Sequence, residues 1–234
     1  MSYRREPLAP GEWYHCYTRG IDKRTTFHDK GDRQRFLQAL YLCNSTTIIE
    51  RDNVKHLSHP ELLKKERQNP LVAIGAYALM PNHFHLLMRE VEEGGVAKFM
   101  QKIGTSYAMY YNLKYEHIGN LFVKPFRSKH VASDRYLRRV ISYIHLNPVE
   151  LFEPQWKQGR VKDFVALKKF LEEYPHSSLP DYLGTQRPEN SILDWTSIKD
   201  LLSECIPSLK SLLPEMAAYY EGLNPPPRRR RLRG

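Results

Sequence analysis

The stretch Ala78-Leu79-Met80-Pro81-Asn82-His83-Phe84-His85-Leu86-Leu87-Met88 constrains this chain more than any other. From Phe84 to Met88 the residues alternate as in a half-buried strand, with Phe84, Leu86 and Met88 on one face. His83 and His85 share the other face with Leu87, because strand side chains repeat every two residues. Imidazoles spaced i, i+2 stand ~7 Å apart along a strand, close enough to grip one cation. Met80-Pro81-Asn82 reads as a tight turn, so the pair sits near the mouth of a hairpin. Taken alone, His-x-His is a weak signal, and two partly exposed histidines at a strand start satisfy it as well.

The charge adds a second constraint. The 234 residues carry a net charge of +10, and an excess of that size points to a polyanionic partner, most commonly nucleic acid. Between Val96 and Asn147 nine basic residues (Lys98, Lys102, Lys114, Lys124, Arg127, Lys129, Arg135, Arg138 and Arg139) stand against two acids, Glu116 and Asp134. This cluster lies directly downstream of the histidine pair and favours nucleic acid over general basicity. Lys98, Lys102, Lys124, Arg127, Lys129, Arg135, Arg138 and Arg139 are therefore the candidate DNA contacts. An apolar content of 41 % supports a real core, and no apolar run approaches the ~20 residues of a membrane span. The first six residues lack the apolar segment of a secretory signal. Three widely spaced cysteines, Cys16, Cys43 and Cys205, argue against a disulfide framework or a cysteine zinc site and suit the cytoplasm.

In chain order, residues 1–11 read as a polar lead-in and Trp13–Arg19 as a first strand, ended by Gly20. Asp32 is the expected N-cap of a helix through Asn44. Residues 50–70 read as an exposed, charged insertion with a short helix around Glu61–Gln68, and its His56 and His59 as solvated. Leu71–Leu79 suits a central strand, and the histidine-bearing strand follows. Val96, Phe99, Met100, Ile103, Tyr107 and Tyr110 or Tyr111 recur at helical spacing to about Tyr115. A further strand is expected around Arg127–Ala132. Ser133 or Asp134 then caps a helix to Asn147, stopped by Pro148. The order strand, helix, strand, strand, helix, strand, helix predicts an α+β, ferredoxin-like antiparallel sheet with helices on one face and one extra helix. A helical C-terminal extension follows, with helices expected at Lys162–Tyr174, Asp194–Cys205 and Ser208–Gly222. The expected divisions are 12–150, 151–223 and a disordered basic tail, 224–234, ending in Arg228–Arg231 and neighbours.

The helix from Ser133 to Asn147 supplies a candidate for chemistry. Leu137, Ile141 and Ile144 form its buried stripe, with Arg135, Arg138 and Arg139 pointing away. Tyr143 and Asn147, spaced i, i+4, lie together at one margin of the stripe, beside Tyr136 and Val140. A tyrosine there is usually a packing residue. The polar partner one turn on, the basic outer face and the preceding histidine hairpin shift the reading towards chemistry. A phenol with a pKa near ~10 is a poor nucleophile. It becomes competent against a phosphodiester when a divalent cation polarises the phosphate. Two imidazoles with an amide or carboxylate oxygen suit Mg²⁺ or Mn²⁺, Mn²⁺ being the better match to imidazole.

Met80-Pro81-Asn82-His83-Phe84-His85-Leu86-Leu87, then Gly119-Asn120-Leu121-Phe122 with Phe126-Arg127-Ser128, then Tyr143-Ile144-His145-Leu146-Asn147-Pro148-Val149 resemble the REP-associated tyrosine transposases. These belong to the wider single-tyrosine HUH transposases. His176-Ser177-Ser178 with Asp181-Tyr182-Leu183-Gly184 resembles the family's C-terminal region, without the tryptophan often seen before the serine pair. The resemblance implies a catalytic domain that acts on single-stranded DNA, often a hairpin, as a monomer or homodimer. It implies His83 and His85 as metal ligands, Asn147 as the third ligand, and Tyr143 as the nucleophile that forms a 5′-phosphotyrosine and frees a 3′-OH. Two other readings remain: a domesticated hairpin-binding protein without turnover, and an unrelated His-x-His metallohydrolase. The second lacks clustered acids near the pair, and no Gly-rich nucleotide loop occurs.

Overall fold

The computed structural model describes residues 7–47, 53–158 and 161–198. Four strands, β1 (Trp13–Arg19), β2 (Val72–Met80), β3 (His83–Glu90) and β4 (Arg127–His130), form one antiparallel sheet in the order β2-β3-β1-β4. With helix α1 (Lys30–Leu42) between β1 and β2 and helix α3 (Gly95–Lys114) between β3 and β4, this is the ferredoxin-like arrangement expected from the sequence. Phe36, Leu40, Phe99, Ile103 and Tyr107 from the two helices share one core with Phe84, Leu86 and Met88 of β3. The rings of Phe36 and Phe84 lie 4.7 Å apart.

Helix α4 (Asp134–Leu146) covers the opposite face. Its Leu137, Val140, Ile141 and Ile144 form a second core with Ala76 and Ala78 of β2 and Leu87 of β3. The alternation along β3 therefore resolves two cores, and His83 and His85 fall on the α4 side with Leu87. Ala76 and Ala78 carry almost no side chain, so α4 can approach the sheet closely at the strand that pairs with the histidines. Ala78 is the direct cross-strand partner of His85.

Several boundaries differ from the sequence expectation. Asp29, not Asp32, caps α1; Asp32 is the third helical residue and returns its carboxylate to the Asp29 backbone in a capping box. Residues 53–70 are mostly exposed, as expected, but three apolar side chains anchor the segment. Val54, Leu62 and Leu63 are buried in the first core, and the short helix α2 is His59–Leu62. His59 is not solvated, since its Nε2 lies 2.9 Å from the Glu189 carboxylate. The helix Ser133 caps ends at Asn147, and a turn of helix, α5 (Val149–Phe152), follows Pro148.

Beyond α5 come α6 (Phe164–Glu173), α7 (Leu179–Tyr182) and α8 (Trp195–Ile198). Leu167, Leu171 and Leu179 enter the second core, and Ile192 and Leu193 enter the first. β2 is an edge strand, and residues 176–178 run along it. Leu79 N–H donates to the His176 carbonyl (2.9 Å) and Ser178 N–H to the Tyr77 carbonyl (3.0 Å). An exposed edge invites pairing with other chains, and this segment covers it. Asp181 and Arg187 pin the segment down: the Arg187 guanidinium bonds the Asp181 carboxylate, the Ser177 carbonyl and the Tyr77 hydroxyl. The helix expected at Ser208–Gly222, most of that at Asp194–Cys205 and the Arg-rich tail lie outside the described residues.

Candidate active site

The strand register lays out the face beneath α4. Antiparallel partners point the same way, so the pairs Arg19↔His83, Tyr17↔His85 and His15↔Leu87 put these side chains on one surface. β4 adds Arg127 opposite Tyr17 and Lys129 opposite His15. The hairpin that ends in Pro81-Asn82 sets His83 at the mouth, half-buried, and His85 one step inside, buried.

Tyr143 descends onto this surface from α4. Its ring meets His85 edge-on at 5.4 Å between centroids and His15 at 5.5 Å. Tyr143 is 3 % exposed, deeper than the margin of the buried stripe where its helical spacing places it. The ring of His85 is stacked on Tyr17 at 5.4 Å and stands perpendicular to His83 at 5.1 Å. Asn147, one turn beyond Tyr143, is buried, and its side-chain N–H donates to the Tyr143 carbonyl at 2.9 Å. That bond leaves the amide oxygen as the group's acceptor.

All three imidazoles are held neutral near pH 7. Burial, and then the charge of Lys129, lowers His15 to about 3. Burial followed by Arg19 lowers His83 to about 4, and burial followed by His15 and His83 puts His85 well below its ordinary range. A neutral imidazole keeps a lone pair, which is the form that ligates a metal. His85 Nε2 is buried with no hydrogen-bond partner among the described residues, which is costly unless something else satisfies it. Among the described residues no three His, Cys, Asp or Glu are grouped to hold a metal. Two imidazoles here would therefore need a donor of another type, and an amide oxygen such as that of Asn147 is one. The residues fit a divalent cation of mixed N/O preference.

The basic residues divide by face. Arg127 and Lys129 lie on the histidine face, at the β4 edge that α4 leaves uncovered, and Lys129 Nζ stands 5.3 Å from the Tyr136 ring centre. Arg135 and Arg139 are exposed on α4 and Arg138 is half-buried, while Lys124 is exposed just before β4. Lys98 and Lys102 are not brought to this face, because α3 packs against the other side of the sheet. Lys102 also donates to the Ser45 carbonyl at 2.6 Å, so it ties α3 to the segment after α1. His15, Tyr17 and Arg19 escaped the sequence reading. The signal was available in the alternation Trp13-His15-Tyr17-Arg19, but which face of β1 meets the histidines depends on register.

A ferredoxin-like sheet with one face packed on two helices, and the other presenting paired histidines to a helix-borne tyrosine, defines an α+β protein built around a histidine–tyrosine centre. Comparison with known proteins gives that class a family. The chain belongs to the IS200-like transposase family, whose model matches residues 13–147, from the start of β1 to Asn147. No curated protein matches the chain. Among solved structures, a REP-associated tyrosine transposase bound to a REP hairpin has the same fold. It is 16 % identical, with a TM-score of 0.50 over 81 % of this chain and 90 % of that one. No helix among the described residues is long and apolar enough to cross a membrane.

Proposed function

We propose that this chain is a metal-dependent transposase that cleaves and rejoins single-stranded DNA through a 5′-phosphotyrosine on Tyr143, at hairpin-forming repeats. The observation that carries this reading is the contact of the Tyr143 ring with His85, on the face that also bears His83. A divalent cation, Mg²⁺ or Mn²⁺, held by His83, His85 and Asn147 would supply the Lewis acidity that withdraws charge from the scissile phosphate. The remaining work falls to the chain. Arg127, Lys129 and Arg19 border the open side of the site and suit the phosphates of an entering strand. Tyr17, half-buried on the same face, offers a ring on which a base can stack. Burial of Tyr143 keeps bulk water from the phenol, so that transfer to tyrosine is favoured over hydrolysis.

In the reaction, the Tyr143 oxygen bonds to phosphorus as the bond from phosphorus to O3′ breaks. The phenol loses one proton and the freed 3′ oxygen gains one. Attack by the 3′-OH of another end on the tyrosyl ester reverses these changes, so rejoining needs no nucleotide cofactor. Tyr143 meets His15 and His85 of its own chain, and the protein acts as a monomer or a homodimer. The family membership supports strand transfer, and the hairpin in the structure of similar fold supports a hairpin partner.

The test is incubation with labelled oligonucleotides carrying the repeats that flank the gene, in Mn²⁺ or Mg²⁺. A denaturant-resistant protein–DNA adduct, lost in Tyr143→Phe, is the expected result. Hairpin binding with no adduct in the native chain would overturn the enzyme in favour of a binding protein without turnover.

A further inference from the structure

Each imidazole of the pair is engaged at Nδ1 by a different neighbour. His83 Nδ1 lies 2.7 Å from Asn82 Oδ1. The orientation of that amide is fixed by its other end, because Asn82 Nδ2 donates to the Lys23 carbonyl at 3.1 Å. Oδ1 can only accept, so His83 carries its proton on Nδ1 and its Nε2 is bare. His85 Nδ1 lies 2.9 Å from His15 Nε2, inside the sheet face, with the rings stacked 5.1 Å apart. Both rings are buried, and the far nitrogens, His85 Nε2 and His15 Nδ1, have no hydrogen-bond partner among the described residues.

Two neutral imidazoles that share one hydrogen bond have two arrangements. If His15 donates from Nε2, His85 must carry its own proton on Nε2, where it blocks the nitrogen nearest to any cation. If His85 donates from Nδ1, its Nε2 is bare and His15 holds its proton on Nδ1. Only the second gives the pair two lone pairs of the same type, at Nε2 of both rings. We infer that His15 is a positioning residue that accepts the Nδ1 proton of His85, as Asn82 does for His83, so that both rings present Nε2 to one divalent cation. The inference rests on the metal site of the proposed function but not on the tyrosine chemistry. It also explains why β1 carries a buried imidazole at the position where α4 closes over the sheet. An outer partner at the second ring nitrogen orients a ligating histidine and raises its basicity, and its removal typically weakens metal affinity about 10- to 100-fold.

The experiment uses the full chain and Mn²⁺ alone. In metal-free native protein, ¹⁵N-detected imidazole spectra should show His83 and His85 protonated at Nδ1 and His15 also at Nδ1. His85 protonated at Nε2 there would overturn the inference. Mn²⁺ binding, followed by electron paramagnetic resonance and calorimetry, should weaken at least 10-fold in His15→Phe, which keeps the ring volume but accepts no proton. His15→Gln, whose amide oxygen can accept, should bind within about 3-fold of native, a rescue that simple loss of packing does not produce. Native-like affinity in His15→Phe, or no Mn²⁺ binding to the native chain, would count against it. If His15→Phe does not fold, the native spectra still decide the tautomer. Mn²⁺ bound with this dependence but no DNA adduct would defeat the proposed function and leave the inference standing.

Discussion

Tyr143 on α4 and His85 on β3 meet edge to plane, 5.4 Å between ring centres, on the face of the sheet turned away from α1 and α3. Two packing decisions create that contact. The small side chains of Ala76 and Ala78 let the helix settle close to the strands. The His145–Ser178 hydrogen bond, 2.8 Å long and buried, then ties the last turn of the helix to the segment along the β2 edge.

Removing either imidazole should separate chemistry from binding. On the proposed reading, in which both imidazoles hold the cation, His83→Ala or His85→Ala should abolish adduct formation while hairpin affinity stays within a few-fold. Affinity measured by fluorescence anisotropy beside the cleavage gel checks this. A large loss of binding instead would recast the pair as structural.

The charges on the two faces should behave differently. Arg127→Ala with Lys129→Ala should weaken DNA binding and flatten its salt dependence, since each phosphate contact releases counterions. Lys98→Ala should leave both nearly unchanged, because α3 lies on the far side of the sheet. Alanines at Arg228–Arg231 should likewise lower affinity and flatten its salt dependence, and an unchanged slope would show that the tail is idle. Titrations at a series of salt concentrations read all three.

Ser178 joins the edge strand to the tyrosine helix. Its hydroxyl serves Tyr77 N–H at 2.9 Å and His145 Nε2, both buried. Ser178→Ala strands those groups and should cost about 1–3 kcal/mol by urea denaturation. It should also slow adduct formation more than it weakens DNA binding, since Tyr143 rides on the same helix.

Stability should fall as the solution is acidified below neutrality. Burial, followed by Arg187, lowers His145 to about 3, and burial followed by Arg33 lowers His176 to about 4. Once unfolded, these residues titrate near ~6.5. Below that value the unfolded chain takes up protons that the folded chain refuses. Stability is therefore complete above about pH 6.5 and is lost down to the folded values, at up to about 1.4 kcal/mol per pH unit for the buried His145 and less for the half-buried His176. Urea midpoints between pH 7.5 and pH 5 measure the slope, and a flat profile would contradict the burial of these rings.

Much of this molecule was legible in the order of its residues. Period-two alternation placed His83 and His85 opposite Phe84, Leu86 and Met88, and helical spacing put Tyr143 one turn before Asn147. These are local rules, fixed by backbone geometry within a single element. The order of elements pointed to the sheet for the same reason. What the chain order could not give were relations between elements distant in sequence. His15 lies 70 residues from His85, and only the β1–β3 register sets them in contact. Likewise, Lys98 and Arg127 are alike as letters. The choice of sheet face by α3 and α4 separates them, and that choice follows from which apolar surfaces can be buried against each other.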